Sequence, residues 1–236
     1  MDTVTLKIYG DYASQPSRAV LAFCKLNNIP YDFQEVRVGK REHMADEYVQ
    51  KVNPAMIVPA IIEVDKKTGE EFKLFESHAI LRYLARSRKV ADHWYPQDLD
   101  KRSQVDIYLD WHHTFLRQAI GFHIYKRFFA PIVHGIKSTD DELKFYAVWM
   151  KRTLDLMERR LTENKYLCGD EISIADLSAV CELIQGKFLN LDFAKWPKLK
   201  EWQDKLIYGN PDMHELHKPM FKFAELSMKK HGQPKL

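Results

Sequence analysis

Every strand-like run in this 236-residue sequence lies before residue 76, and everything after residue 98 carries helical spacing. That split restricts the fold more than any other feature, because a short sheet must take its cover from helices on both sides of the split. Val4, Leu6 and Ile8 alternate with Thr3, Thr5 and Lys7, the period of a half-buried strand. Gly10 and Asp11 break it. From Ala19 the spacing becomes four and three through Phe23 and Leu26, with Pro16 suited to the first helical turn. Tyr31 to Val38 reads as a second strand closed by Gly39, and Met44, Tyr48 and Val52 as a short helix ended by Asn53-Pro54. Ile57 to Val64 is a strand led in by Pro59. A turn over Asp65 to Gly69 returns the chain through Phe72 to Phe75, and Glu76-Ser77 opens a helix with Ile80, Tyr83 and Leu84 on one face. The order β-α-β-α-β-β-α gives a small mixed sheet carrying helices.

Arg86 to Asp98, with Trp94-Tyr95-Pro96, has no clean period and reads as a linker packed on the surface. Val105, Leu109, His112, Leu116 and Ala119 share one face of a long helix that is expected to stop before Pro131 and Gly135. Asp140-Asp141 starts a second, whose stripe runs through Leu143, Ala147, Met150, Leu154, Met157 and Leu161 until Cys168-Gly169-Asp170. Ser173 and Asp176 form a variant capping box before a helix so poor in charge that it must be buried. Two more helices are expected near Pro197 to Tyr208 and Met213 to Lys230. The expected division is an N-terminal sheet domain over 1–87, a linker over 88–94 and an all-helical domain over 95–236.

Composition closes off several classes of function. With 45% hydrophobic and 29% charged residues the chain is an ordinary globular protein. A net charge of +3 from 36 basic and 33 acidic residues gives no reason to expect nucleic acid. No apolar run is long enough to span a bilayer, and the N-terminus enters a strand with no apolar signal region. Cys24, Cys168 and Cys181 are odd in number and make no CxxC pair, which is read as reduced thiols in a cytoplasmic protein.

Three stretches carry chemistry. Ser14 sits where a helix begins directly after a strand, so free amides and the positive end of the helix dipole meet there. Ser14 is either a helix cap alone or a donor to an anion held at that end. Val58-Pro59 is a trans proline at a strand edge, or a cis one that leaves the backbone of Val58 open to an extended peptide. Glu76-Ser77 is a cap, or a carboxylate and a hydroxyl fitted to the amino-acid end of a ligand. Tyr12 is a rival hydroxyl to Ser14. Arg18 either pairs with a carboxylate and holds the loop, the favoured reading, or adds positive potential at the site. Adjacent His112 and His113 face different ways on a helix, and His214-Glu215-Leu216-His217 lacks the zincin spacing, so no metal is expected.

Ser14-Gln15-Pro16-Ser17-Arg18, Asn53-Pro54 through Val58-Pro59, Phe75-Glu76-Ser77, Trp94-Tyr95-Pro96 and Trp111-His112-His113-Thr114 together resemble the glutathione S-transferases, theta class, over nearly the whole chain. The resemblance implies an α+β protein, with a thioredoxin-like N-terminal domain followed by an all-α helical bundle, working as a cytoplasmic homodimer. It also implies glutathione as co-substrate and small hydrophobic electrophiles as partners, with no nucleic acid and no membrane. Ser14 is similar to the serine that stabilises the glutathione thiolate. Val58 and the neighbouring backbone at Ile57 resemble the segment beside glutathione, and Glu76 and Ser77 the pair that takes its γ-glutamyl end. His43 resembles the histidine near the glycine carboxylate, although Ile57 and Met44 stand where relatives often carry lysine. Arg117 resembles an arginine near the electrophile, and Trp111 shares its helix. A peroxidase or dehalogenase of the same family, or a non-catalytic binder of glutathione or hydrophobic ligands, are the alternatives. The dimer contact is expected on Leu81, Arg82 and Tyr83 with Asp106 and Asp110.

Overall fold

β1 (Val4–Gly10) owes its place in the middle of the sheet to Leu6 and Ile8, which are 3% and 0% exposed. The computed structural model describes residues 4–231. β1 runs parallel to β2 (Asp32–Glu35) and antiparallel to β3 (Ala60–Asp65), and β3 pairs antiparallel with β4 (Glu71–Phe75), giving the order β2-β1-β3-β4. The parallel pair needs a crossover, and α1 (Gln15–Leu26) supplies it. Asn28, at φ 51°, turns the chain out of α1. α2 (Asp46–Lys51) precedes β3, and α3 (Ser77–Ser87) follows β4. β3 begins at Ala60, three residues later than the sequence suggests, because residues 57–59 leave the ladder.

The second half is helical: α4 (Leu99–Thr114), α5 (Ala130–His134), α6 (Asp140–Glu163), α7 (Ile174–Leu183), α8 (Pro197–Ile207) and α9 (Pro211–His231). The face drawn through Val105, Leu109, His112, Leu116 and Ala119 is buried throughout. The expected single helix does not continue as one α-helix beyond Thr114. Two wide π-type turns over Arg117–Phe122 and Tyr125–Phe129 carry the path to α5, and Pro131 sits in the first turn of α5 instead of beyond its end. A proline is tolerated there because its missing N–H has no intrahelical partner to lose. Gly135, at φ 69°, is the true stop. α6 ends at Glu163, short of the Cys168-Gly169-Asp170 break.

All ten residues of α7 are buried. It packs against α1, α4 and α8, so the first domain's helix and the second domain's central helix form the seam between them. Asp176 fixes the start of α7: its carboxylate accepts from the N–H and Oγ of Ser173 (2.9 and 3.0 Å), the Leu167 N–H (3.0 Å) and Trp202 Nε1 (3.0 Å). In the linker, Trp94 is buried edge-on against Phe23 at 5.5 Å, so this segment is pinned to the core rather than merely lying on the surface. Leu81 is fully buried, and Arg82 is engaged within the chain by Asp106 (2.8 Å) and Asp110 (3.6 Å). Of that group Leu81 thus faces the core, while Asp110, although paired with Arg82, keeps 81% of its side chain exposed. No described helix is long and apolar enough to cross a membrane.

Candidate active site

The register of the sheet brings the three informative stretches to one edge. Tyr9 pairs with Ala60, and Ala60 with Phe75, so one row of residues crosses three strands. The Ser14 loop leaves just after that row on β1, Val58 lies two residues before it on β3, and Glu76-Ser77 follow it on β4. On the other side Gly10 pairs with Glu35, and the Val36 N–H donates to the Gly10 carbonyl at 2.8 Å, which leads the His43 segment to the same edge.

Asp11 builds the loop. Its carboxylate accepts from the Ala13 N–H at 2.8 Å, an Asx-type turn, and from the Val38 N–H at 2.8 Å. Ser14 then caps α1, its Oγ accepting from the Ser17 N–H at 3.4 Å and from Ser17 Oγ at 3.0 Å. A hydroxyl has one hydrogen and two lone pairs. With both contacts accepted, the Ser14 hydrogen is left free to donate outward. Arg18, 0% exposed, ties the loop down by donating from Nη1 to the Tyr12 and Ala13 carbonyls (2.7 and 3.0 Å) and from Nη2 to the Cys181 carbonyl of α7 (2.9 Å). Burial lowers its pKa to about 10, which still leaves it charged at neutral pH. It holds the loop as favoured above, but through three carbonyls where a carboxylate was expected. Tyr12 packs on Phe33 at 4.9 Å.

Across the edge, the Val58–Pro59 peptide is cis, and no described hydrogen bond outside the strands uses the backbone of Val58. Ile57 is 40% exposed, while its carbonyl is held from beneath by Tyr48 Oη (2.7 Å) and Asn53 Nδ2 (2.9 Å). Glu76 is exposed, with φ 70° and ψ 108°, a conformation that costs a non-glycine residue about 1–3 kcal/mol and collects at functional sites. Ser77 behind it is 5% exposed. His43 is half-buried with Nδ1 unpartnered, and burial, then Arg41, pushes its pKa down.

Arg117 and Trp111 have different neighbours. Arg117 places Nε 3.0 Å from Glu182 Oε2 of α7. Trp111 stacks on Phe115 at 5.1 Å and lines an open groove of about 600 Å³ with Val148, Arg152 and Leu156 of α6. Beneath Ser77, His78 meets Ser178 Oγ at 2.6 Å, with its ring 4.4 Å from that of His113 and 5.1 Å from that of His112. Burial holds His78 and His112 well below the usual histidine range. The three thiols are all driven up to about 12 by burial, which removes them as nucleophiles. Among the described residues no group of three or more His, Cys, Asp or Glu could hold a metal ion. Reading the sequence missed Asp11, Gln15, Ser17 and Glu182. The signal for Glu182 was present, as a lone carboxylate deep in the apolar run from Leu177 to Ile184.

A four-stranded mixed sheet with a capped serine after β1 and a cis-proline before β3, joined to a helical bundle, defines a thioredoxin-like fold with a helical second domain. Family comparison agrees. Residues 8–89 match the glutathione S-transferase N-terminal domain and residues 123–208 the C-terminal domain. The chain is 38% identical to human glutathione S-transferase theta-1 over 92% of its own length and 89% of the relative's. It is 36% identical to Arabidopsis thaliana glutathione S-transferase T1, covering 93% and 91%. Among solved structures, the apo form of human glutathione S-transferase T1-1 superposes with a TM-score of 0.81 at 34% identity, covering 95% and 97% of the two chains. A human theta-class glutathione transferase in complex with the glutathione conjugate of 1-menaphthyl sulfate gives 0.85 at 30% identity, covering 97% and 92%. The chain belongs to the glutathione S-transferases, the enzymes that join the glutathione thiol to electrophiles, and within them to the theta class.

Proposed function

We propose that the protein conjugates glutathione to small hydrophobic electrophiles at the sheet edge, with Ser14 stabilising the thiolate. The observation that carries this reading is the Tyr9–Ala60–Phe75 row, which gathers a free hydroxyl hydrogen, an unpaired backbone and a carboxylate–hydroxyl pair at one edge. A free thiol has a pKa of about 8.5, so little of it is thiolate at neutral pH. Lowering that by about two units takes roughly 2.7 kcal/mol, within reach of a charge-assisted hydrogen bond and a helix end acting together. Glu76 takes the ammonium and Ser77 the carboxylate of the γ-glutamyl end, the backbones of Val58 and Ile57 lie beside the peptide, and His43 faces the glycine carboxylate. Glutathione is held by residues 1–87, and the electrophile by 95–236 with Arg117 and Trp111 at its border. Arg117 supports the negative charge that develops on a leaving group.

The test is calorimetric binding of glutathione followed by turnover of 1-menaphthyl sulfate, an alkyl halide and an organic hydroperoxide. Binding and turnover of at least one are expected; binding with none would leave a carrier. Arg117→Ala is expected to lower turnover with glutathione affinity nearly unchanged, and the reverse pattern would remove Arg117 from the electrophile side.

The same reading places the enzyme in the cytoplasm as a two-fold homodimer. Phe145 and Val148 of α6 and Ile107 of α4 are 62%, 70% and 57% exposed, apolar side chains that a second copy would cover. Light scattering at micromolar concentration is expected to give twice the chain mass; a monomer mass would refute the dimer.

A further inference from the structure

Glu182 takes no part in the roles assigned so far, yet it is the most heavily engaged acid near the site. Its side chain is 0% exposed in α7, and neighbouring elements converge on it. From α1, Gln15 Nε2 donates to Oε2 at 2.9 Å. From the wide turn after α4, Arg117 Nε stands 3.0 Å from the same oxygen, and His112 Nε2 of α4 stands 3.5 Å from it. Gln185 Nε2 donates to Oε1 at 3.3 Å. Gly121 leaves the room, since a Cβ there would lie 2.5 Å from Oε1. Burial pushes the carboxyl's pKa up, and Arg117, Arg18 and Gln15 pull it back.

Gln15 follows Ser14 directly in sequence, and Arg117 is the residue assigned to the electrophile. A single carboxylate therefore touches the thiolate side and the electrophile side. The residue there accepts on both oxygens, from Gln15 Nε2 on Oε2 and from Gln185 Nε2 on Oε1, while the Arg117 guanidinium faces Oε2 as an ion pair without a hydrogen bond from Nε. A glutamine would lose the negative charge that faces Arg117, and its NH2 could be met only if Gln15 or Gln185 turned its own amide over.

We propose that Glu182 is a positioning residue for conjugation: through Gln15 it fixes the turn that aims the Ser14 hydroxyl, and through Arg117 it fixes the guanidinium beside the electrophile. The role rests on the assignments of Ser14 and Arg117 made above. The test uses the full-length enzyme with glutathione and 1-menaphthyl sulfate, comparing wild type, E182Q, R117M and the double variant across pH, with ultraviolet titration of the bound thiol. E182Q is expected to keep its glutathione KM within about twofold while kcat falls about tenfold or more, even at high pH where the thiol ionises unaided, as a small misplacement of reacting groups demands. The double variant is expected to be no slower than R117M by more than about twofold, because contacting residues do not act additively. Wild-type kcat in E182Q, or losses that multiply in the double variant, would overturn the role while leaving the transferase reading intact. A wild-type enzyme that neither ionises bound glutathione nor turns over would overturn both. Should E182Q not fold, Gln15→Leu leaves the Glu182–Arg117 pair in place. It is expected to raise the bound thiol's pKa, and an unshifted value would count against Glu182.

Discussion

The hydrogen of the Ser14 hydroxyl is free because Ser17 supplies one for it to accept. Ser14→Ala is therefore expected to bind glutathione about as well as wild type, since Val58, Glu76 and Ser77 hold the peptide elsewhere. Its bound thiol should titrate about one to two units higher. Conjugation should fall steeply near neutral pH and partly recover at high pH; an unchanged thiol pKa and rate would return Ser14 to a plain cap and make Tyr12 the next residue to test. His123 shows a different economy. It is 1% exposed, stacked on Tyr146 at 5.8 Å, and neither ring nitrogen has a partner. Its polarity gains nothing from the fold, so His123→Phe is expected to change stability at neutral pH by less than about 1.5 kcal/mol, as a near-isosteric swap does. A loss well above that in urea denaturation would mean that an unrecognised partner exists.

Among the elements, α7 and the wide turn over Arg117–Phe122 decide whether the two domains meet correctly. Asp176 holds the start of α7 through four donors. Asp176→Ala leaves the Leu167 N–H and Trp202 Nε1 buried without an acceptor and should cost about 3–5 kcal/mol, read as a large drop in the urea midpoint. Gly121 faces the other end of the helix. Gly121→Ala puts a methyl 2.5 Å from Glu182 Oε1 and 3.1 Å from Arg117 Cδ, so about 1–3 kcal/mol of overpacking is expected. Because the clash falls on that pair, turnover should suffer as well as stability; a variant with wild-type kcat would show that the turn can yield.

For the molecule as a whole, buried histidines set the response to acid. Burial lowers His123 to about 4 and His217 to about 3 from 6.5, and holds His78 and His112 far down. The folded state thus refuses protons that the unfolded chain accepts below about pH 6.5. Protons bound preferentially by the unfolded chain stabilise it, so this contribution is intact above pH 6.5 and is lost progressively as pH falls through 4 towards 3. The thermal midpoint is expected to drop steadily from pH 6.5 to 4, and less so in His123→Phe; a flat profile would contradict the burial argument.

Local signals carried much of this protein. The change of hydrophobic period around Gly10–Pro16, the proline before β3, the Glu76-Ser77 helix start and the Ser173–Asp176 box each act within a few residues, where spacing and side-chain type bear directly on conformation. The cap at Ser14, the special proline peptide at Val58 and the helix start at Glu76-Ser77 were legible for that reason. What the sequence alone did not decide is pairing at a distance. Gln15 meets Glu182 across 167 positions, Arg18 reaches Cys181 across 163, and His78 reaches Ser178 across 100. Nor did spacing reveal that the helical path widens after Arg117 to admit a buried carboxylate. A lone buried charge costs too much to stand without partners, but the sequence only shows that partners are needed. Which donors arrive is settled when α1, the turn after α4 and α7 pack into one seam.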